Sequence, residues 1–152
     1  MEIPKPVSNH KLIFLGEMRS GKTSIHNRYV HGIFRQDMEP TIASTFNAKT
    51  QELDSHIVKL EFWDVAGSEQ FRSLTPIYVR GANVVIVVFD ITNKKSFDKV
   101  DMWLEEVKSA DFKCVKALVG NKIDLDDKRA VLYEEAESYA TENGFSYYEV
   151  SA

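Results

Sequence analysis

The 152-residue chain has one cysteine, four prolines and seven glycines, and no excess of basic charge. A lone thiol, Cys114, forms no internal disulfide, which points to a reducing compartment and away from cystine-rich secreted scaffolds. Beside Val115 it reads as a small core residue rather than a reactive thiol. A formal net charge of -4, from 19 Lys and Arg against 23 Asp and Glu, leaves no basic footprint for nucleic acid. No apolar run approaches the ~20 residues of a membrane span. Glu2-Ile3-Pro4-Lys5-Pro6 carries no signal-peptide core. Repeats and low-complexity segments are absent. No metal-ligand spacing links His26, His31 and His56, which read as solvated or locally bonded.

What is present is an alternation of short apolar runs and helical patterns. Hydrophobic residues make up 43% of the chain, enough at this length for one domain with a sizeable core. Strands are predicted at 11–15, 44–53, 56–63, 83–90, 114–120 and 146–150, with the second and third joined in a hairpin around Asp54-Ser55. Helices are predicted near 22–30, 95–109 and 132–143, and an irregular segment at 65–80. This order predicts an α/β fold, a mostly parallel sheet covered on both faces. Phe97, Val100, Trp103, Leu104 and Val107 recur at helical spacing and read as core.

Three segments carry chemistry. Gly16-Glu17-Met18-Arg19-Ser20-Gly21-Lys22-Thr23, leading into Ser24, follows the apolar run Leu12-Ile13-Phe14-Leu15 and has the spacing of a phosphate loop. Gly16 and Gly21 let it curl until successive backbone N–H groups face one point, toward which the next helix turns its positive end. Lys22 suits the β- and γ-phosphates, and the Thr23 hydroxyl suits Mg²⁺. The second run, Ile57 to Trp63, ends in Asp64-Val65-Ala66-Gly67. Asp64 then stands at a strand's carboxyl end, where α/β sheets bind ligands, and suits the same magnesium. Gly67, without a Cβ, lets its N–H approach a γ-phosphate. The third, Lys116 to Gly120, enters Asn121-Lys122-Ile123-Asp124. Asp124 offers only acceptors, so it takes both the ring N–H and the exocyclic amine of guanine, and adenine presents neither there. Asn121 and the Lys122 stem brace the loop and cover the purine. In Glu149-Val150-Ser151-Ala152, the Ala152 N–H suits the guanine O6. The expected ligands are GTP and GDP with Mg²⁺.

On these elements, from about His10 to Ala152, the chain resembles the Ras-like small GTPases and within them the Rab group. Trp63-Asp64-Val65-Ala66-Gly67-Ser68-Glu69-Gln70-Phe71-Arg72-Ser73-Leu74 is similar to the Rab WDTAGQERFRSL signature, and this stretch and Ala82 to Asn93 look most like the endosomal subgroup. The resemblance implies a three-layer P-loop G domain over 10–152 after a flexible segment 1–9, with a six-stranded sheet containing one antiparallel strand. It implies GTP hydrolysis and a switch in vesicular trafficking, cytoplasmic and associated with endosomal or vesicle membranes. In Pro40-Thr41-Ile42 it makes Thr41 the second Mg²⁺ ligand and γ-phosphate sensor, and it places the Phe34 ring on the guanine. Effectors, exchange factors and GTPase-activating proteins would bind around Thr41 and Ser68 to Tyr78. The family's final helix and prenylated tail do not follow Ala152, so the chain is expected to be part of a longer one, with only indirect membrane contact.

Two departures bear on mechanism. Lys22, Thr41 and Gly67 supply the family's catalytic parts, but the water-orienting glutamine is replaced by Ser68, whose short side chain predicts slow hydrolysis. Met18 and Arg19 stand where relatives carry small residues. They obstruct an incoming arginine finger, or Arg19 replaces that finger, or both point outward. Two classes stay open: a slow GTP/GDP switch, and a non-cycling G domain that keeps its nucleotide as a scaffold.

Overall fold

Six strands form one sheet in the order β2-β3-β1-β4-β5-β6, with β2 antiparallel to β3 and every other pairing parallel. The computed structural model describes residues 3–42, 44–109 and 113–152; the loose start expected at Met1 and Glu2 lies outside them. The strands are β1 (Val7–Leu15), β2 (Ser44–Glu52), β3 (Ile57–Val65), β4 (Val84–Asp90), β5 (Val115–Asn121) and β6 (Ser146–Val150). The helices are α1 (Lys22–His31), α2 (Thr75–Val79), α3 (Lys94–Asp98), α4 (Val100–Ser109) and α5 (Tyr133–Glu142). A 3-10 helix, Glu69–Leu74, precedes α2, and another, Ile123–Lys128, follows β5.

Both sheet faces are covered. One carries the larger core, where Phe97, Val100, Trp103, Leu104 and Val107 of α3 and α4 pack with Ala136 and Ala140 of α5 over Val85, Val87 and Phe89. The five residues read as a helical stripe are at most 8% exposed. Each such large side chain contributes about 1.5–3 kcal/mol of transfer free energy. On the other face, Ile25 and Val30 of α1 lie against Leu12, Phe14, Phe62 and Val119.

Three boundaries depart from the sequence expectation. The flexible segment expected over residues 1–9 does not include Val7, Ser8 and Asn9, which pair with Ile57, Val58 and Lys59. Their side chains are mostly polar and gave no apolar signal, whereas β3 offers them a backbone ladder. The single helix expected at 95–109 divides at Lys99, where the turn tightens and the Met102 N–H donates to the Lys99 carbonyl three residues back (3.2 Å). Finally β3 continues through Asp64, which lies opposite Thr45 and is fully buried.

Candidate functional site

The carboxyl ends of the parallel strands open on a cleft of about 880 Å³, within the ~300–1,000 Å³ usual for ligand pockets. Its walls come from Met18, Arg19 and Gly21 to Ser24 after β1, Phe34 to Thr41 before β2, and Gly67 after β3. Asn121, Lys122, Asp124 and Leu125 after β5 and Ser151 and Ala152 after β6 close the far end.

At the near end the loop between β1 and α1 wraps around Lys22. The ammonium donates to the carbonyls of Gly16 (2.9 Å) and Glu17 (3.1 Å). Burial lowers its pKa to about 8, against the attraction of Asp64 and Glu17. Gly21 has a φ of 96°, and a Cβ there would collide with the Asn121 amide, so only glycine fits. That amide donates to the Ser20 carbonyl (3.0 Å), and Lys122, itself at φ 71°, donates to the Arg19 carbonyl (3.0 Å) while pairing with Asp90 (2.7 Å). Two residues from the far end thus brace the near one. A Cβ at Gly67 would come within 2.6 Å of Lys22 Nζ and of the Met18 nitrogen, so a backbone approach this close to the loop requires glycine there too.

Three oxygens meet beside Lys22. The Thr23 and Thr41 hydroxyls are 2.6 Å apart, and both donate to Asp64 Oδ2, Thr41 at 3.4 Å. The other carboxylate oxygen, Oδ1, is buried and has no partner among the described residues. Burial raises the Asp64 pKa, and the Thr23 hydrogen bond opposes the rise. A carboxylate and two hydroxyls are the hard oxygen donors that Mg²⁺ takes, and the orphaned Oδ1 leaves an acceptor for the ion or its water, so the residues fit the metal.

At the far end the Ser151 hydroxyl donates to Asp124 Oδ1 (2.8 Å), leaving the rest of that carboxylate available. Phe34 lines the same space and is about half exposed, at 49%. Asn121 Oδ1 is buried and has no partner among the described residues.

Not every expected residue reaches the cleft wall. Gly16 and Ser20 are buried beneath the loop, and Glu17 turns its carboxylate to the Lys99 ammonium (2.8 Å). Ser68 is also absent from the wall; its hydroxyl is buried and has no partner among the described residues. Met18 and Arg19 do line the cleft, Arg19 from the left-handed region at φ 65°, so neither turns wholly away. His26 corrects the view of the histidines as solvated. It is buried on α1 with its ring 5.7 Å from that of Phe62, neither nitrogen has a partner among the described residues, and burial lowers its pKa.

Sequence reasoning missed a row of aromatic rings outside the cleft. Trp63 packs with Phe46 (5.0 Å) and Tyr78 (5.9 Å), and Ile42 and Ile77, four residues before Phe46 and one before Tyr78, are exposed. Hairpin register pairs Phe46 with Trp63, and counting outward from Asp54-Ser55 would have found it. The ion pairs of Asp90, Lys99 and Arg129 leave no such trace, since each joins residues distant in sequence.

The profile of the Ras family matches residues 11–152. The chain is 45% identical over 145 residues to the Ras-related protein RHN1 of Nicotiana plumbaginifolia, an alignment that covers 95% of this chain and 72% of that protein. It is equally similar, over the same shares, to the Ras-related protein Rab5 of Nicotiana tabacum.

Proposed function

The chain belongs to the Ras family, as a Rab-type small GTPase, and on that footing we propose that it is a slow GTP/GDP switch of membrane traffic. The observation that carries this reading is the convergence in one cleft of Thr23, Thr41 and Asp64 at one end and of Asp124 and Ser151 at the other.

In this reading a triphosphate takes Lys22 from the Gly16 and Glu17 carbonyls, and the backbone of Glu17 to Ser24 donates to its oxygens. Thr23, Thr41 and Asp64 hold Mg²⁺, which when bound neutralises charge on the phosphates. Thr41 bonds the other two ligands, so a γ-phosphate that competes for this cluster is felt by the segment from Phe34 to Thr41. Gly67 brings its N–H to the γ-phosphate by the same close approach. Asp124 takes the two guanine donors, Ser151 holds that carboxylate in place, and Phe34 covers the purine.

Hydrolysis requires a water held in line with the γ-phosphate. The Ser68 hydroxyl, short and buried away from the wall, is poorly placed for it, which supports a low intrinsic rate. The same observation favours the second reading, a G domain that keeps one nucleotide without cycling. Partners that read the state would dock on Ile42, Phe46 and Ile77 around Trp63, since these apolar side chains are exposed on the two segments that border the phosphates.

Mass spectrometry of the nucleotide released on denaturation, titration with GDP, GTP and ATP with and without Mg²⁺, and a single-turnover assay together test the proposal. Guanine-selective, magnesium-dependent binding with slow phosphate release is expected. Equal affinity for ATP removes the guanine assignment, and tight GTP binding with no release over many hours leaves the non-cycling reading.

A further inference from the structure

Behind the base end of the cleft lies a polar cluster that touches none of its walls. Arg129 closes the 3-10 helix that carries Asp124, and Glu149 lies on β6, two residues before Ser151. Their contact is a fork: Nη1 reaches Oε1 at 2.7 Å and Nη2 reaches Oε2 at 2.8 Å. The Nε–H also bonds Asp126 (2.6 Å), inside the same 3-10 helix, and Nη1 bonds the Val131 carbonyl (3.1 Å). The Tyr147 hydroxyl donates to Glu149 Oε1 from the other side (2.8 Å). That hydroxyl fills the space where a Gly120 side chain would go, 2.7 Å from a Cβ, directly before Asn121. In the β5–β6 ladder Gly120 stands opposite Glu149.

We propose that Arg129, Glu149 and Tyr147 are positioning residues for base selectivity, clamping the segment that carries Asp124 to the strand end that carries Ser151 and Ala152. The inference rests on the guanine reading of Asp124 and adds the part that fixes its geometry.

A bidentate guanidinium–carboxylate pair fixes the angle of its partners as well as their separation, and a lysine provides only the charge. The pair is shielded, with side chains 19% and 14% exposed, so solvent screens it less than a surface bridge. It ties the 3-10 helix and β6 together just behind the Ser151–Asp124 hydrogen bond. Asp124 must meet two base donors at once, and a small rotation that keeps one bond loses the other. The loss therefore falls on a base with an exocyclic amine more than on one without it.

The test compares GDP with IDP, whose hypoxanthine lacks that amine, in the full chain with Mg²⁺. Dissociation constants for GDP, IDP and ADP are measured for wild type, Arg129→Lys, Glu149→Gln, Tyr147→Phe and the Arg129→Lys/Glu149→Gln double variant, alongside thermal melting. Wild type is expected to prefer GDP to IDP and to bind ADP poorly. Arg129→Lys and Glu149→Gln are each expected to lower the GDP/IDP preference about tenfold, as loss of a hydrogen bond between charged groups does. Tyr147→Phe should lower it by a smaller factor, and the double variant should add little, because both changes break one unit. If GDP and IDP weaken together and the preference stays at its wild-type value, the clamp is structural only and the proposal falls while the guanine reading stands. If wild-type protein fails to distinguish GDP from ADP, both fall. Tyr147→Phe removes one hydroxyl and keeps the ring stacked on Phe89, so it decides the matter even where the charge variants do not fold.

Discussion

The two ends of the cleft are built in opposite ways. At the phosphate end the polar groups are partnered with one another: Lys22 sits on its own loop's carbonyls, two threonine hydroxyls share Asp64, and Asp64 Oδ1 has no partner among the described residues. At the base end the partners are in place beforehand, with Ser151 on Asp124, Asn121 on the Ser20 carbonyl, and the Arg129–Glu149 fork behind. Burial works against the charges at the first end, lowering the Lys22 pKa and raising that of Asp64. At the second, the Arg129 hydrogen bonds hold the Glu149 carboxyl below its usual range. On the proposed function, the base end selects through partners already in place and the phosphate end responds, because only groups that gain a better partner on binding change their arrangement.

The comparison is broken most severely by Asp124→Asn. The amide presents a donor where guanine needs an acceptor, so preference should move from guanine to xanthine nucleotides, with the ratio of the two affinities changing by ~10⁴-fold, the scale on which buried polar mismatches are rejected. Competition binding with GDP and XDP reads it, and an unchanged ratio would show that the base lies elsewhere. Lys22→Ala comes next. Removing a buried cation from the phosphates should cost about 3–5 kcal/mol, a hundredfold to a thousandfold or more in GTP affinity. Base preference should be untouched, since the other end does not depend on this ammonium. A third change sharpens the responsive end alone: Ser68→Gln should raise single-turnover hydrolysis, by about ten- to a hundredfold if the longer side chain holds water in line, and leave nucleotide affinity nearly constant. Met18→Gly alongside it clears the cleft wall. Rates that stay put in both variants and in their combination make the non-cycling reading the better one.

The two ends were also unequally legible in the sequence. The phosphate loop, Asp64 with Gly67, and Asn121 to Asp124 follow apolar strands at fixed spacings, and the strands place all three at one edge of the sheet. Register does that work, so residues about a hundred positions apart, such as Ser20 and Asn121, could be assigned to one site from local patterns. Contacts that depend on where a long side chain bends were invisible. Lys99 breaks a helix that periodicity alone makes continuous, and lies against Glu17 and Glu69, while Lys122 reaches Asp90. Val7 to Asn9 were missed for a related reason: a polar strand edge is stabilised by its neighbour's backbone and carries no hydrophobic period. His26 was misjudged because its amphipathic ring fills a gap between Phe14 and Phe62 that only the packed sheet defines.

The smallest expected effect concerns pH, and here the two ends should carry opposite signs. Asp64 has a pKa raised in the fold by burial, so the folded protein takes up its proton more readily than the unfolded chain, whose carboxyl titrates near 3.8. Its contribution is therefore unfavourable at neutral pH, and the penalty is relieved as pH falls through the raised folded value toward 3.8. Glu149 has a pKa lowered below the usual 4.5, so its contribution is present above 4.5 and is lost as pH falls through the folded value. Two single substitutions isolate the two slopes. In nucleotide-free protein, Asp64→Asn should raise Tm at pH 7 and narrow its advantage as the pH drops toward 4.5, while Glu149→Gln should lower Tm at pH 7 and lose less than wild type on further acidification. Each effect is on the order of 1 kcal/mol, about 2–4 °C for a domain of this size. Thermal melts from pH 7 down to the acid limb read both. Parallel curves for the two variants would mean that the ends are electrostatically alike, and the division between an end where burial opposes charge and one where hydrogen bonds favour it would not hold.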